Sequence, residues 1–556
     1  KTFIQVSRVR YLVENHRFIL FIEHPNTTHS IAEFKEFLLQ KFPAYMRPDH
    51  ILLIAAFPEN SNGKIDDKKL LQLIESGMDR EANRTDQSTE LLKRLKEIQL
   101  FESLNGAYGF IEQGGDSILG LRMIGKLNAW GYEAQLNELL NAKTLTEFFQ
   151  GIETAKTVEV RSDELALTPI QDWFTSEYPG NKNHFNQSIL LEIHIPVSPE
   201  ELGRLLASTF SAFPLLSQVY ESTWSVGKTP TVVLENVSTN EEVTERCQAI
   251  QSSFDLTKGP IAGAAIITLA DKTLLFIAMH HFYCDGFSWR ILLDELKNRM
   301  QGNGMTYGGT KVFAQVQQVL KSKVNSETNP LPSLLNPFKD WQPSSYRESL
   351  YVSFDWEKEK TDLFMRHWET NLHVNEKFLF FVLGAWKSEG LPIATPMLET
   401  HGRSYEGIPA LAESLGWFTQ FYPIDIKPEI QIDELLTHVR GAHEEAIGYQ
   451  LTYMGRSGYA QPCYPLLLNF LGSFDENWGG IASPSMISQG EMVDLGNTML
   501  AHVEINAMIV EGKLRWMMRS HPSFNLTSYM NAFQLFANNQ LNVAPSISAH
   551  VDDSID

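Results

Sequence analysis

Two apolar runs of strand length, Phe18 to Ile22 and Ile51 to Ala56, stand near the start of the chain on either side of a segment with helical apolar spacing, from about Ser30 to Lys41. With a further helix near Lys68 to Ile74, residues 1–76 read as a small α+β unit. Gly77 to Glu90 is polar, charged and without apolar periodicity, so residues 77–90 read as a linker. The spacing turns helical over residues 91–154: Leu91, Leu95 and Ile98, then Ile118, Leu121, Ile124 and Leu127, then Leu136, Leu139 and Leu140, then Leu145, Phe148 and Phe149. These predict a small helical bundle. A second polar bridge, residues 155–164, leads into residues 165–556, where strand-like and helical stretches alternate. That segment is too long for one ordinary core, so two lobes in an α/β arrangement are expected.

Composition narrows the function classes. Hydrophobic residues at 43% and charged residues at 20% suit a soluble globular protein, and no apolar run reaches the roughly 20 residues of a membrane helix. A formal net charge of -21 with no local basic patch argues against nucleic acid as a partner. Cys247, Cys284 and Cys463 are too few and too scattered for a disulfide framework or a zinc site, so no metal is expected and a reducing cytoplasm fits best. The opening Lys-Thr-Phe-Ile-Gln-Val has no signal-peptide pattern and reads as a chain cut from something longer.

In the helical segment, Gly114-Gly115-Asp116-Ser117-Ile118 sets two glycines and an acid ahead of a serine that opens an apolar-periodic helix. The glycines let the loop turn, and a helix N-terminus favours phosphate, so Ser117 suits phosphodiester attachment. Taken alone, the same residues also make a helix cap. With its flanking helices and linkers, the segment resembles a peptidyl carrier protein. That resemblance implies a four-helix carrier with 4'-phosphopantetheine on Ser117, placed there by a phosphopantetheinyl transferase. The Gly-Gly-Asp-Ser-Ile form resembles carriers that precede epimerization domains. Upstream, Phe42-Pro43-Ala44-Tyr45-Met46-Arg47-Pro48 and Asn62-Gly63-Lys64-Ile65-Asp66 resemble the last two core motifs of amino-acid adenylation domains, although Asn-Gly-Lys by itself is a turn. The resemblance makes residues 1–76 a C-terminal adenylation lid. Lys64 matches the lysine that contacts the carboxylate and phosphate as the acyl adenylate forms. The nucleotide-binding core is expected in an upstream partner.

The segment Leu274 to Met279, then His280-His281-Phe282-Tyr283-Cys284-Asp285-Gly286-Phe287-Ser288-Trp289-Arg290, predicts a buried strand that delivers two histidines to a loop ahead of an amphipathic helix. It resembles the His-His-x-x-x-Asp-Gly motif of the condensation-domain superfamily, whose two-lobed fold is like chloramphenicol acetyltransferase. The family assigns chemistry to His281. It assigns support of the loop to His280, Asp285, Gly286, Ser288 and Trp289. Three segments resemble the epimerization subfamily: Leu167 to Phe174 with His184 to Ser188, the Ser288-Trp289-Arg290 extension, and Leu398-Glu399-Thr400-His401-Gly402-Arg403 followed by Gly416 to Pro423. Glu399 is then the second acid/base candidate. Asn469 in Leu468-Asn469-Phe470-Leu471-Gly472 resembles a site-lining asparagine, with Phe470 where the family has tyrosine, and Thr400 stands where the family usually has glycine.

The chemistry explains why a pair of acid/base groups is needed. An α-hydrogen beside a thioester is weakly acidic, and inversion takes it from one face of a planar enolate and returns a proton to the other. His281 and Glu399 are expected to do this to an aminoacyl or peptidyl thioester with no metal or further cofactor, in non-ribosomal peptide synthesis of the antibiotic-producing kind. A downstream condensation domain is the expected recipient. A condensation domain forming an amide bond and a catalytically silent docking module are the alternatives. The expected organisation is 1–76 lid, 77–90 linker, 91–154 carrier, 155–164 linker and 165–556 epimerization domain.

Overall fold

Extended segments that alternate apolar and polar side chains give one face to a core and leave the other for solvent or a site. Two such sheets, each packed against helices, decide where the candidate residues fall. The computed structural model describes residues 8–14, 17–23, 50–54, 57–58, 65, 70, 87–97, 104–113, 117–130, 132–154, 166–270, 272–302, 312–316, 344–366, 374–389, 391, 396–400, 402–403, 411, 414–424, 464–473, 478 and 480–542. The chain divides into two units, Lys1–Ala155 and Lys156–Asp556.

In the first unit, β1 (Arg8–Glu14), β2 (Arg17–Glu23) and β3 (His50–Ile54) form a sheet in that order, antiparallel and then parallel. β2 and β3 fall on the two predicted apolar runs, with Phe21 and Ile22 buried. The helix expected over Ser30 to Lys41 lies outside the described residues. Helices with described bounds follow: α1 (Gln87–Glu97), α2 (Ser117–Ala129), α3 (Leu136–Asn141) and α4 (Leu145–Gly151). α1 packs on α4 and α2 on α3, and short strands β4 (Tyr132–Glu133) and β5 (Glu153–Thr154) pair beside them. Leu91, Leu95, Met123, Leu127, Leu139, Leu145 and Phe149 are buried. α1 starts at Gln87, inside the stretch expected to be linker. Its polar first turn, with Glu90 near the positive end of the helix dipole, carries no apolar signal and so reads as linker in the sequence.

The second unit opens with α5 (Pro169–Ser176) and has two large sheets. In the first, β6 (Asn186–Ile193), β9 (Thr231–Val237), β10 (Ala262–Leu269), β11 (Lys272–His280) and β16 (Ala482–Pro484) run in the order β16-β6-β11-β10-β9. A hairpin of β7 (Gln218–Tyr220) and β8 (Trp224–Val226) stands apart, and α6 (Pro199–Ser211) and α7 (Asn240–Gln251) pack on the sheet. β11 is buried along most of its length, which is why it reads as a continuous apolar run. α8 (Gly286–Met300) follows it and packs on α6.

The second sheet has β12 (Leu350–Trp356), β13 (Pro396–Thr400), β14 (Gln420–Pro423), β15 (Tyr464–Ser473), β17 (Ala501–Val510) and β18 (Lys513–Ser520) in the order β12-β18-β17-β15-β13-β14. One face carries Leu398, Leu466, Leu468, Val503, Ile505, Leu514, Trp516 and Met518 into a core with α9 (Lys358–Arg366), α10 (Val374–Ser388) and α11 (Leu526–Leu541). Trp516 sits at its centre, 4.6 Å from Phe533, 5.0 Å from Trp356 and 5.2 Å from Phe378 between ring centroids. The two sheets are the two lobes expected of residues 165–556.

β16 ties the lobes together. After β15 the chain leaves the second sheet, adds β16 antiparallel to β6 at the edge of the first, and returns as β17. The crossing is held by Asn186 N donating to the Met492 carbonyl at 2.7 Å, and by Asn181 N donating to Asn497 Oδ1 at 2.6 Å.

Truncating the core and the surface should separate sharply. Trp516→Ala is expected to destabilise the second unit by about 3–5 kcal/mol. Leu535→Ala, at a position of α11 that is 58% exposed, should stay within about 0.5 kcal/mol of wild type. Urea denaturation followed by circular dichroism checks both.

Candidate active site

The site is assembled from the loop after β11 and the strands β13 to β15. β11 ends at His280, and His281 begins a single 3-10 turn over His281–Tyr283. The two histidines have opposite environments. His280 is fully buried; its Nε2–H donates to the Lys182 carbonyl at 2.6 Å and its Nδ1 accepts from Phe282 N at 3.1 Å. Burial pushes it down to about 3, so it stays neutral and braces the turn. His281 is half-buried between the rings of Phe185, stacked at 5.4 Å, and Trp417, tilted at 4.5 Å. Its Nδ1 lies 2.8 Å from the Cys284 carbonyl and its Nε2 lies 3.0 Å from Gln187 Nε2. Desolvation among these groups lowers its pKa below the usual 6.5.

Asp285 caps α8, accepting from Phe287 N at 3.1 Å and from Ser288 N at 2.8 Å. The same carboxylate accepts from Ser288 Oγ at 2.9 Å, from Arg403 Nη2 at 2.8 and 2.9 Å, and from Phe418 N at 3.2 Å. Arg403 also donates to the carbonyls of Leu411, Ser414 and Gly416, while Ser288 Oγ bonds the Gly416 carbonyl at 3.0 Å. The Arg403 and Asp285 side chains are 0% and 3% exposed. This knot fastens the His281 loop to the segment that runs into β14. Gly402, at φ +58, lies hard against the Phe418 carbonyl, so the chain can turn into Arg403 only without a side chain there. At Gly286, by contrast, a Cβ would meet open space, so packing does not demand that glycine.

The opening motif of the second unit serves the same loops. Thr168 and Gln171 form a capping box at the start of α5. Thr168 Oγ1 also donates to the Trp417 carbonyl at 2.9 Å, and Gln171 Nε2 donates to the Phe282 carbonyl at 2.8 Å. One helix cap thus holds both loops.

Glu399 lies on β13, opposite Phe421 of β14, and its Oε2 accepts from Asn469 Nδ2 of β15 at 2.8 Å. Desolvation, and then the nearby Glu504 carboxyl, push Glu399 up to about 8. Glu504, on β17, accepts from Leu500 N at 2.8 Å, and burial raises its pKa as well. Phe470, expected beside Asn469 at the site, projects from the other face of β15 and packs near Phe378 at 6.3 Å, because successive side chains of a strand point to opposite faces. Thr400 falls within β13 opposite Gln420, a setting where a β-branched residue is at home.

Of the sequence-predicted residues, the structure joins His280, His281, Asp285, Ser288 and Trp289 around one loop, which Trp417 and Phe418 also contact, and joins Glu399 with Asn469 separately. Ser117 is the first residue of α2; Lys64, Gly114 to Asp116 and His401 lie outside the described residues. Gln187, Arg403, Trp417 and Glu504 carry no assigned role in the sequence reading. Arg403 closes the quoted Glu-Thr-His-Gly-Arg segment, so its charge was the available signal, but its partner lies 118 residues away.

A two-lobed α/β fold with a His-His-x-x-x-Asp-Gly loop between the lobes defines a chloramphenicol-acetyltransferase-like class of protein. The condensation-domain family profile matches residues 161–452, and the chain belongs to that family. It is 26% identical to surfactin synthase subunit 1 of Bacillus subtilis over 88% of its own length, 26% identical to bacitracin synthase 3 of Bacillus licheniformis over 93%, and 24% identical to gramicidin S synthase 1 of Brevibacillus brevis over 80%. It spans 15%, 9% and 45% of those proteins. In fold it is similar to the epimerization domain from the third module of tyrocidine synthetase B, with a TM-score of 0.57 and 21% identity over 70% of this chain and 98% of that one. It is also similar to the condensation domain of monacolin K polyketide synthase, with a TM-score of 0.53 and 14% identity over 68% and 98%. Among the described residues, no helix is long and apolar enough to cross a membrane.

The buried ion pair gives a direct test. Arg403→Met strips the buried Asp285 of its cationic partner and should cost about 3–5 kcal/mol. Asp285→Asn in the same chain should return part of that loss, because it removes the stranded carboxyl. Denaturant titration of the single and double variants measures the coupling.

Proposed function

We propose that this chain inverts the α-carbon of an aminoacyl or peptidyl thioester, with His281 and Glu399 as the acid/base pair. The observation that carries the reading is the carboxyl of Glu399, desolvated, held by Asn469 and pushed up to about 8. A carboxylic acid that keeps its proton near neutral pH can deliver it to carbon. A histidine whose pKa is lowered enters the cycle neutral and able to accept one. Epimerization needs both, one on each side of the substrate plane.

The substrate is expected on a phosphopantetheine arm attached to Ser117, and the 13-residue helix that Ser117 opens suits such a phosphodiester, since its N-terminus carries partial positive charge. When bound, the arm supplies the thioester that acidifies the α-hydrogen. Asn469 fixes the Glu399 carboxyl, and Asp285 with Arg403 holds the turn that presents His281. Residues 1–76 fit a C-terminal adenylation subdomain that would meet an upstream core, with Lys64 in the adenylation role. A phosphopantetheinyl transferase and a downstream condensation domain complete the partners, in the cytoplasm. Amide formation is the second reading, favoured by the likeness to a condensation domain; it needs an acceptor thioester from a second carrier.

One experiment separates the two. The chain is loaded with an aminoacyl-phosphopantetheine in deuterated water, with and without an acceptor thioester. Deuterium at the α-carbon together with D product supports epimerization, whereas amide product without exchange overturns it. Glu399→Gln and His281→Ala should each slow exchange by about 10²–10⁴-fold.

The pH dependence follows from the same groups. As pH rises, exchange should increase while His281 loses its proton, below 6.5, and decline as Glu399 loses its proton through about 8. Initial exchange rates across this range give the profile. A rate that keeps rising beyond the upper limb would remove Glu399 as the proton donor.

A further inference from the structure

We infer that Gln187 is a positioning residue for His281, turning the imidazole so that Nε2 meets the substrate without a proton. The role rests on the epimerization reading for its chemistry, and its geometry is independent of it. The Trp289 indole can only donate, and its Nε1 lies 2.7 Å from Gln187 Oε1. The amide oxygen therefore faces Trp289, which leaves the amide NH2 toward His281 Nε2 at 3.0 Å. At the other side of the ring, the Cys284 carbonyl can only accept, and it lies 2.8 Å from Nδ1. The proton belongs on Nδ1 and the lone pair on Nε2, and both ends of the chain of hydrogen bonds demand the same tautomer.

The support is rigid. Gln187 lies on β6 in register with Met279 of β11, so the amide is carried by the strand paired with the one that ends immediately before His281. Phe185 and Trp417 clamp the ring. Among the described residues, the titratable or charged groups nearby include His280, bonded to the Lys182 carbonyl; Cys284, whose Sγ is 3.7 Å from Gln187 Oε1; and Asp285, tied to Arg403. Among the described residues, the hydrogen bond at Nε2 comes from the Gln187 amide, which sets the state of that nitrogen.

The choice of an amide has a chemical consequence. A neutral N–H donor occupies the lone pair lightly, because a net hydrogen bond is worth only about 0.5–1.5 kcal/mol and can yield to an approaching C–H. A glutamate here would instead accept from Nε2, hold the ring as imidazolium and remove the base. The arrangement also assigns the resting role of His281, which begins as the acceptor of the α-proton.

The test is a long-range proton–nitrogen correlation spectrum of the nitrogen-15-labelled full chain across pH, with His281→Ala identifying the signals. In the wild type at pH 7, Nε2 should resonate as an unprotonated nitrogen and Nδ1 as a protonated one. Gln187→Glu should protonate Nε2 at neutral pH and raise the titration midpoint. Gln187→Met should raise the midpoint less and slow α-exchange by about tenfold. A wild-type Nε2 that is protonated at pH 7, or a Gln187→Glu ring with wild-type signals and midpoint, overturns the role. If Gln187→Glu loses the wild-type circular dichroism spectrum, Gln187→Met decides alone: a raised midpoint supports the role and an unchanged one overturns it. The expected nitrogen signals without α-exchange in any of the proteins would sink the epimerization reading and leave the placement of His281 by Gln187 standing.

Discussion

The ion pair between Arg403 and Asp285 is the contact on which the candidate site depends. Its two charges are almost wholly out of water, which is expensive unless every lone pair and N–H is used. Here Asp285 accepts from the first turn of α8, from Ser288 Oγ, from Phe418 N and from Arg403, while the Nη1 and Nη2 groups of Arg403 also donate to the carbonyls of Leu411, Ser414 and Gly416. The pair links a loop of the first sheet to a segment of the second. If it opens, the His281 turn and the approach to β14 lose their common anchor.

The two ionisable candidates lie in unlike environments. His281 is flanked by aromatic rings, and desolvation among them favours the neutral imidazole, while the Cys284 carbonyl holds the proton on Nδ1. Glu399 projects from a strand whose neighbours toward the site are Asn469 and, one strand further, Glu504, so its charged form finds little support. The second sheet thus has a divided character. One face carries Leu398, Leu468, Ile505 and Trp516 into the hydrophobic core, and the other carries Glu399, Asn469 and Glu504. Strict alternation along each strand separates packing from chemistry by a single residue, and Phe470 falls on the packing side for that reason.

Much of this was legible in the sequence wherever a signal was local. β11 announced itself as an apolar run, the turn at His281 and the helix after it followed from the residues of that loop, and β2, β3 and the helices of residues 117–151 lie where periodicity put them. The start of α1 was not legible, because its first turn is polar and a hydrophobic reading hears nothing there. β16 was not legible either. Three residues that leave one sheet to extend another have no period of their own, and only the register with β6 defines them as a strand.

The sequence by itself determined which residues are able to do chemistry and which segments carry them, because residue type and short-range spacing are properties of the chain. Only the tertiary structure decided how those residues behave. Asp285 and Arg403 stand 118 residues apart, Gln187 and His281 94, and Glu399 and Asn469 70, so their contacts depend on strand order and lobe packing. Protonation follows from the same source. A carboxyl pushed up to about 8 and an imidazole held neutral record how much water and which dipoles surround each group, and folding alone sets both.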